Sequence, residues 1–123
     1  MQQFPINGDI DLIDGLIVGQ NNTVIACYEN TTVNIYGGEI RSECVEPPAI
    51  SNKGGVINVL GGKVSGSHSA ITNSEISTIN IRDGIVEALS TNSACISNRG
   101  MLNVYGGQVL SKGFQVVRNY ETA

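Results

Sequence analysis

The chain has 123 residues, 41% of them apolar and 15% charged, with 15 glycines and a formal charge of −4. That length suits one domain, and the balance of apolar and charged residues excludes a disordered polypeptide. Seven Lys and Arg scattered among eleven Asp and Glu leave no basic cluster for counterion release, so nucleic acid is not an expected partner.

Taken in chain order, residues 1–8 read as an N-terminal cap, 9–119 as a repeat array and 120–123 as a C-terminal tail. The opening Met1-Gln2-Gln3-Phe4-Pro5 has neither the basic nor the apolar region of a signal peptide. Apolar runs stay short throughout, so no membrane span is expected.

The first coil begins with Ile10-Asp11-Leu12-Ile13-Asp14-Gly15. The same frame returns as Val33-Asn34-Ile35-Tyr36-Gly37-Gly38, Ile57-Asn58-Val59-Leu60-Gly61-Gly62, Ile79-Asn80-Ile81-Arg82-Asp83-Gly84 and Leu102-Asn103-Val104-Tyr105-Gly106-Gly107. Its equivalent positions, Asp11, Asn34, Asn58, Asn80 and Asn103, are spaced by 23, 24, 22 and 23 residues. A period in this range marks a solenoid.

Within each unit the segment around Asn alternates apolar and polar residues with period two, as a half-buried strand does. The Gly-Gly or Asp-Gly pair turns the chain. A second strand follows, as in Glu39-Ile40-Arg41, Lys63-Val64-Ser65 and Gln108-Val109-Leu110. After a corner that carries the inserts comes a third strand, expected to end at Asn30, Asn52, Asn73, Asn98 or Asn119. These five form a predicted structural ladder of stacked amides, with Cys27 and Cys95 in one column beside it. The fold class is therefore all-β: a solenoid of about five triangular coils of 22–24 residues, built from parallel strands.

The repeated Ile/Val-Asn-Ile/Val-x-Gly-Gly-x-Ile/Val, followed by Ala-Ile-x-Asn, resembles the repeats of polysaccharide-binding and pectate-lyase-like proteins. Similar repeats occur in bacterial surface proteins, phage tail spikes and virion fibres. The resemblance implies a single-stranded right-handed parallel β-helix, displayed on a virion or cell surface. By likeness to phage spikes it also implies a homo-oligomer, a trimer first of all, or docking on a larger assembly. Phe114 and Tyr120 in coil five are the apolar residues expected at such a contact.

Strand alternation sends the Asn column outward, beside Ile13, Tyr36, Leu60, Arg82 and Tyr105. Asn34, Tyr36, Asn58, Asn80, Arg82, Asn103 and Tyr105 are thus the candidate ligand-binding face. Amides that hydrogen-bond hydroxyls and rings that stack on sugars would suit a glycan; stabilisation of an exposed strand is the plainer role for the same residues. Asp9, Asp11 and Asp14 crowd the first coil and are candidate calcium ligands. Neither an EF-hand loop nor a calcium nonapeptide is present, so a solvated acidic edge, and no cofactor, is the expectation.

His68 stands in a corner loop without a nucleophile to serve, and Glu43, Cys44 and Glu46 lie in another. Glu39, Lys63 and Glu87 are expected in surface ion pairs. Arg82 has no acidic residue above or below it in its column, so no lyase-like catalytic group is expected. The chain reads as a non-enzymatic structural or binding module. A relative of polysaccharide-degrading enzymes and a purely architectural fibre or decoration protein are the alternatives. Three cysteines without CxxC spacing are expected to be free thiols.

Overall fold

A computed structural model describes residues 4–6, 9–20, 23–43, 47–113 and 115–120. Cys44, Glu46 and Phe114 lie outside them. The described residues contain sixteen strands and no helix. The first coil runs through β1 (Phe4–Ile6), β2 (Asp9–Leu12) and β3 (Leu16–Gly19), and the second through β4 (Ile25–Tyr28), β5 (Thr32–Ile35) and β6 (Glu39–Ser42). Next come β7 (Ile50–Lys53), β8 (Val56–Val59) and β9 (Lys63–Gly66), then β10 (Ile71–Asn73), β11 (Thr78–Ile81) and β12 (Ile85–Ala88). Finally β13 (Ile96–Asn98), β14 (Met101–Val104) and β15 (Gln108–Ser111) precede β16 (Val117–Asn119).

Every third strand joins the same sheet. Sheet A has the order β1-β4-β7-β10-β13-β16, sheet B β14-β11-β8-β5-β2 and sheet C β15-β12-β9-β6-β3. All the strand pairs are parallel. The chain is a parallel β-solenoid of about five turns, and the strand in the expected cap, β1, pairs with β4 on sheet A.

The core is a set of aliphatic columns. Val33, Ile57 and Ile79 stack in sheet B, as do Ile35, Val59 and Ile81, and all six are fully buried. Ile40, Val64 and Val86 line the inside of sheet C; Ile25, Ile50, Ile71 and Ile96 line sheet A. Each such side chain contributes about 1.5–3 kcal/mol through burial, before conformational entropy is subtracted. Leu102, Val109 and Val117 carry the columns into the last rung, where they are only partly buried.

The corners differ in what they tolerate. From the last inward residue of sheet B to the first inward residue of sheet C is always five positions: Leu12 to Ile17, Ile35 to Ile40, Val59 to Val64, Ile81 to Val86, Val104 to Val109. That corner holds the glycine pairs. Gly62 sits at φ +69°, and a Cβ there would come within 2.7 Å of Gly38 O in the coil before it. Both facts demand glycine.

The other two corners vary in length, which corrects the expectation that inserts keep to one. From Ile25 to Val33 is eight positions, from Ile50 to Ile57 seven and from Ile96 to Leu102 six. The correction carries a second one. Cys27, not Asn30, pairs with Asn52 in the register of β4 and β7. Asn30 is outside the ladder, exposed in a turn at φ +63°, a left-handed conformation that Asn tolerates better than most residues. Cys95 precedes Ile96 and so stacks beyond Ala70 rather than in the Cys27 column.

Candidate functional site

Two amide ladders run along the solenoid. The inner one stands at the corner between sheets A and B. Asn52 Nδ2 donates to Asn73 Oδ1 at 3.0 Å, Asn73 to Asn98 at 2.8 Å and Asn98 to Asn119 at 2.9 Å. Asn52 and Asn73 are 1% and 2% exposed, so these amides also have to satisfy the turn around them. Asn52 Oδ1 accepts from Gly55 N, and its Nδ2 also approaches Gly55 O and Thr78 O. Asn73 Nδ2 likewise reaches Ser77 O and Met101 O. In the first full turn Cys27 replaces the amide, its Sγ reaching Thr31 O at 3.6 Å.

The outer ladder lies on the solvent face of sheet B and contains the residues predicted to meet a ligand. Asn34 Nδ2 donates to Asp11 Oδ1 at 3.0 Å, Asn58 to Asn34 at 2.8 Å, Asn80 to Asn58 at 2.9 Å and Asn103 to Asn80 at 2.9 Å. A primary amide has two N–H donors and two oxygen lone pairs. Each bond along the ladder uses one of either kind, which leaves one donor and one acceptor per rung for a ligand or water.

Beside this ladder runs the predicted stripe of Ile13, Tyr36, Leu60, Arg82 and Tyr105. Ile13, Tyr36 and Tyr105 are 66%, 49% and 62% exposed. The Arg82 guanidinium lies 4.3 Å from the Tyr105 ring centroid, a cation–π contact that holds the arginine against the ring. The face is thus a strip with amides along one track and aromatic, aliphatic and one cationic side chain along the next, repeating at the strand spacing of about 4.8 Å.

The first-coil carboxylates are divided between local partners. Asp11 accepts from Asn34, and Asp14 Oδ1 accepts from the Gly15 N–H at 2.8 Å. Among the described residues no three His, Cys, Asp or Glu side chains converge as metal ligands.

Sheet C carries the ion pairs: Arg41 with Glu39 and Glu43, and Lys63 with Glu87, at 3.3–3.4 Å. They are partly exposed and contribute little each. Cys27 and Cys95 are free and buried. Loss of hydration pushes the Cys27 thiol up to about 11 and that of Cys95 to about 12, against the opposing effect of backbone hydrogen bonds. Such thiols are inert rather than nucleophilic.

Sequence reasoning missed a second surface, on sheet A. Its outward column is Ser51, Thr72, Ser97 and Arg118, and a shallow groove along it is bordered by Lys53, Arg99 and Tyr120. The signal was in the period: Lys53 and Arg99 are 46 residues apart, two coils, and so fall on one edge.

A scan against protein-family models finds none that matches the chain, and searches of curated proteins and of solved structures return no match either.

Proposed function

We propose that the chain is a non-enzymatic binding module whose sheet B face recognises a glycan. The observation that carries this reading is the stripe of exposed Tyr36, Arg82 and Tyr105 and half-buried Leu60, alongside amides with one donor and one acceptor still free. Rings and aliphatic groups cover the apolar face of a sugar, and the spare amide groups meet its hydroxyls. The repeat of the strip suits a polymer lying parallel to the solenoid axis. Asp9 and Asp11 share that face only at its first-coil end, away from Arg82 and Tyr105, and Asp11 is engaged by Asn34, so the reading is of binding without cleavage.

The finer part of the reading rests on resemblance: pectate-lyase-like and polysaccharide-binding β-helices, phage tail spikes and virion fibres share the repeat pattern. Display on a virion or cell surface follows from it, as does assembly into a trimer or docking on a larger particle. Met101 and Val104, 58% and 53% exposed on the last rung, favour a chain contact there.

A glycan array with a reducing-sugar assay alongside tests the proposal. Binding is expected with no release of reducing ends, and Tyr36→Ala with Tyr105→Ala should weaken it at least tenfold. An array without binders, or binding indifferent to both tyrosines, refutes the assignment of the face. Release with turnover refutes the non-enzymatic part.

A further inference from the structure

Three of the seven Lys and Arg, far apart in sequence, come together in space. Arg41 and Lys63 are spent on carboxylates of sheet C. Lys53, Arg99 and Arg118 all border the outer face of sheet A, and among the described residues none of the three makes an ion pair. Arg99 and Arg118 share one aromatic ring: their Cζ atoms lie 4.3 and 4.9 Å from the centroid of Tyr120. Stacking fixes a guanidinium plane while leaving its N–H edge free to donate. Both guanidinium groups are therefore held at one ring, Arg99 bordering the groove and Arg118 the smaller hollow beside it, with Ser97 and Tyr120 common to the two.

The surroundings supply donors. Ser51, Thr72 and Ser97 form the floor of the groove on one side of this pair. On the other side is a smaller hollow bounded by Ser97, Arg118, Tyr120 and Ser93. Ser93 Oγ is buried and, among the described residues, has no hydrogen-bond partner. A buried hydroxyl left in that state is costly and needs a reason. No carboxylate lines either hollow; Glu75 borders a third that shares only Arg99 with them.

We infer that the sheet A face around Tyr120 is an oxyanion site that takes a phosphate group, free or as an ester. Arg99 and Arg118 supply charge and forked N–H donors, and Ser97 supplies a hydroxyl. A phosphate dianion matches two guanidinium charges and offers three acceptor oxygens to this many donors. The site is separate from the glycan face on sheet B and does not depend on that reading.

Isothermal titration with inorganic phosphate, in zwitterionic buffer at constant ionic strength, tests it, with glycerol 3-phosphate as a second arm. Saturable binding of either supports the site, and tighter binding of the ester identifies an ester as the natural source. Arg99→Gln and Arg118→Gln are each expected to weaken binding at least tenfold, and Arg41→Gln on sheet C to leave it unchanged. Binding no different from that of chloride, or retained in both sheet A variants, overturns the inference. If those variants do not fold, amide shift mapping on the unaltered chain decides. Phosphate-induced shifts confined to Ser97, Arg99, Arg118 and Tyr120 support the site; shifts elsewhere, or none, overturn it.

Discussion

Asn73→Ala probes whether the inner ladder holds the turns together. Asn73 is 2% exposed and donates toward Ser77 O, Met101 O and Asn98 Oδ1, while its own oxygen accepts from Asn52. Truncation does not strand every partner. Ser77 O still accepts from Met101 N, Asn98 Oδ1 from Gly100 N, and Asn52 Nδ2 still faces Gly55 O and Thr78 O. Met101 O loses the side-chain donor, and the rung bonds on both sides are gone. At about 1 kcal/mol net per hydrogen bond, and about 1–3 kcal/mol where a buried group is left unpaired, the loss comes to about 3 kcal/mol. Asn119 is exposed and only accepts from Asn98, so Asn119→Ala should cost about 1 kcal/mol or less. Urea denaturation followed by far-UV circular dichroism measures both. A gap of about 2 kcal/mol corresponds to roughly 8 °C in melting temperature for a chain of this size. Equal losses in the two variants would refute the ladder as a stabilising element.

Gly62→Ala combines a left-handed φ with a Cβ 2.7 Å from Gly38 O, so a loss of at least about 2 kcal/mol is expected. Gly15→Ala, also left-handed but with nothing within 4 Å of the added Cβ, should cost less, and the same assay ranks the two. Cys27 and Cys95 should resist a thiol reagent in the native chain at pH 8, and the denatured, unreduced chain should titrate three thiols. Because folding raises both thiols, to about 11 and about 12, the native state holds more protons than the unfolded state above pH 9, and stability should fall as pH rises from there. Replacing both with Ala should flatten that fall; an unchanged slope assigns it to other groups. Light scattering at micromolar concentration should show a homo-oligomer, whereas a monomer indifferent to Tyr120→Ser would refute assembly through the last rung.

Most of the architecture was legible because one corner is sterically rigid. The glycine pair admits no insertion, so Asp11, Asn34, Asn58, Asn80 and Asn103 stay in phase along with the aliphatic residues around them. The third strand was harder. Its corners vary in length, and in the first copy of this strand motif, on β4, the letters Ala-Cys and a later Asn matched the other repeats at the wrong offset. The aliphatic Val24-Ile25, equivalent to Ala49-Ile50, holds the true register. Inward alternation from Ile25 then reaches Cys27, which has no amide, so a search for Asn passed over it. The outer face of sheet B was legible as a pair of columns, but not the bonds that join its amides. The cationic face of sheet A was hidden because its strands are flanked by corners whose lengths differ, which blurs the period of its residues.

The two ladders point in opposite directions, and their ends explain why. Asp11 is a carboxylate that only accepts when ionised. Asn34 must turn its Nδ2 toward it, which presents Oδ1 to Asn58, and the same choice passes rung by rung to Asn103. In the inner ladder the buried Gly55 N–H needs an acceptor, so Asn52 gives it Oδ1 and must direct Nδ2 along the corner to Asn73. That polarity then runs through Asn98 to Asn119. One carboxylate and one backbone N–H thus orient eight amides. This gives Asp11 a role that needs no cation: it fixes on which side of each outer amide the spare donor and the spare acceptor are presented. Asp11→Asn removes the constraint at little cost in stability, since an amide also accepts. Its effect belongs to recognition, and it should reduce glycan binding more than it reduces the urea midpoint.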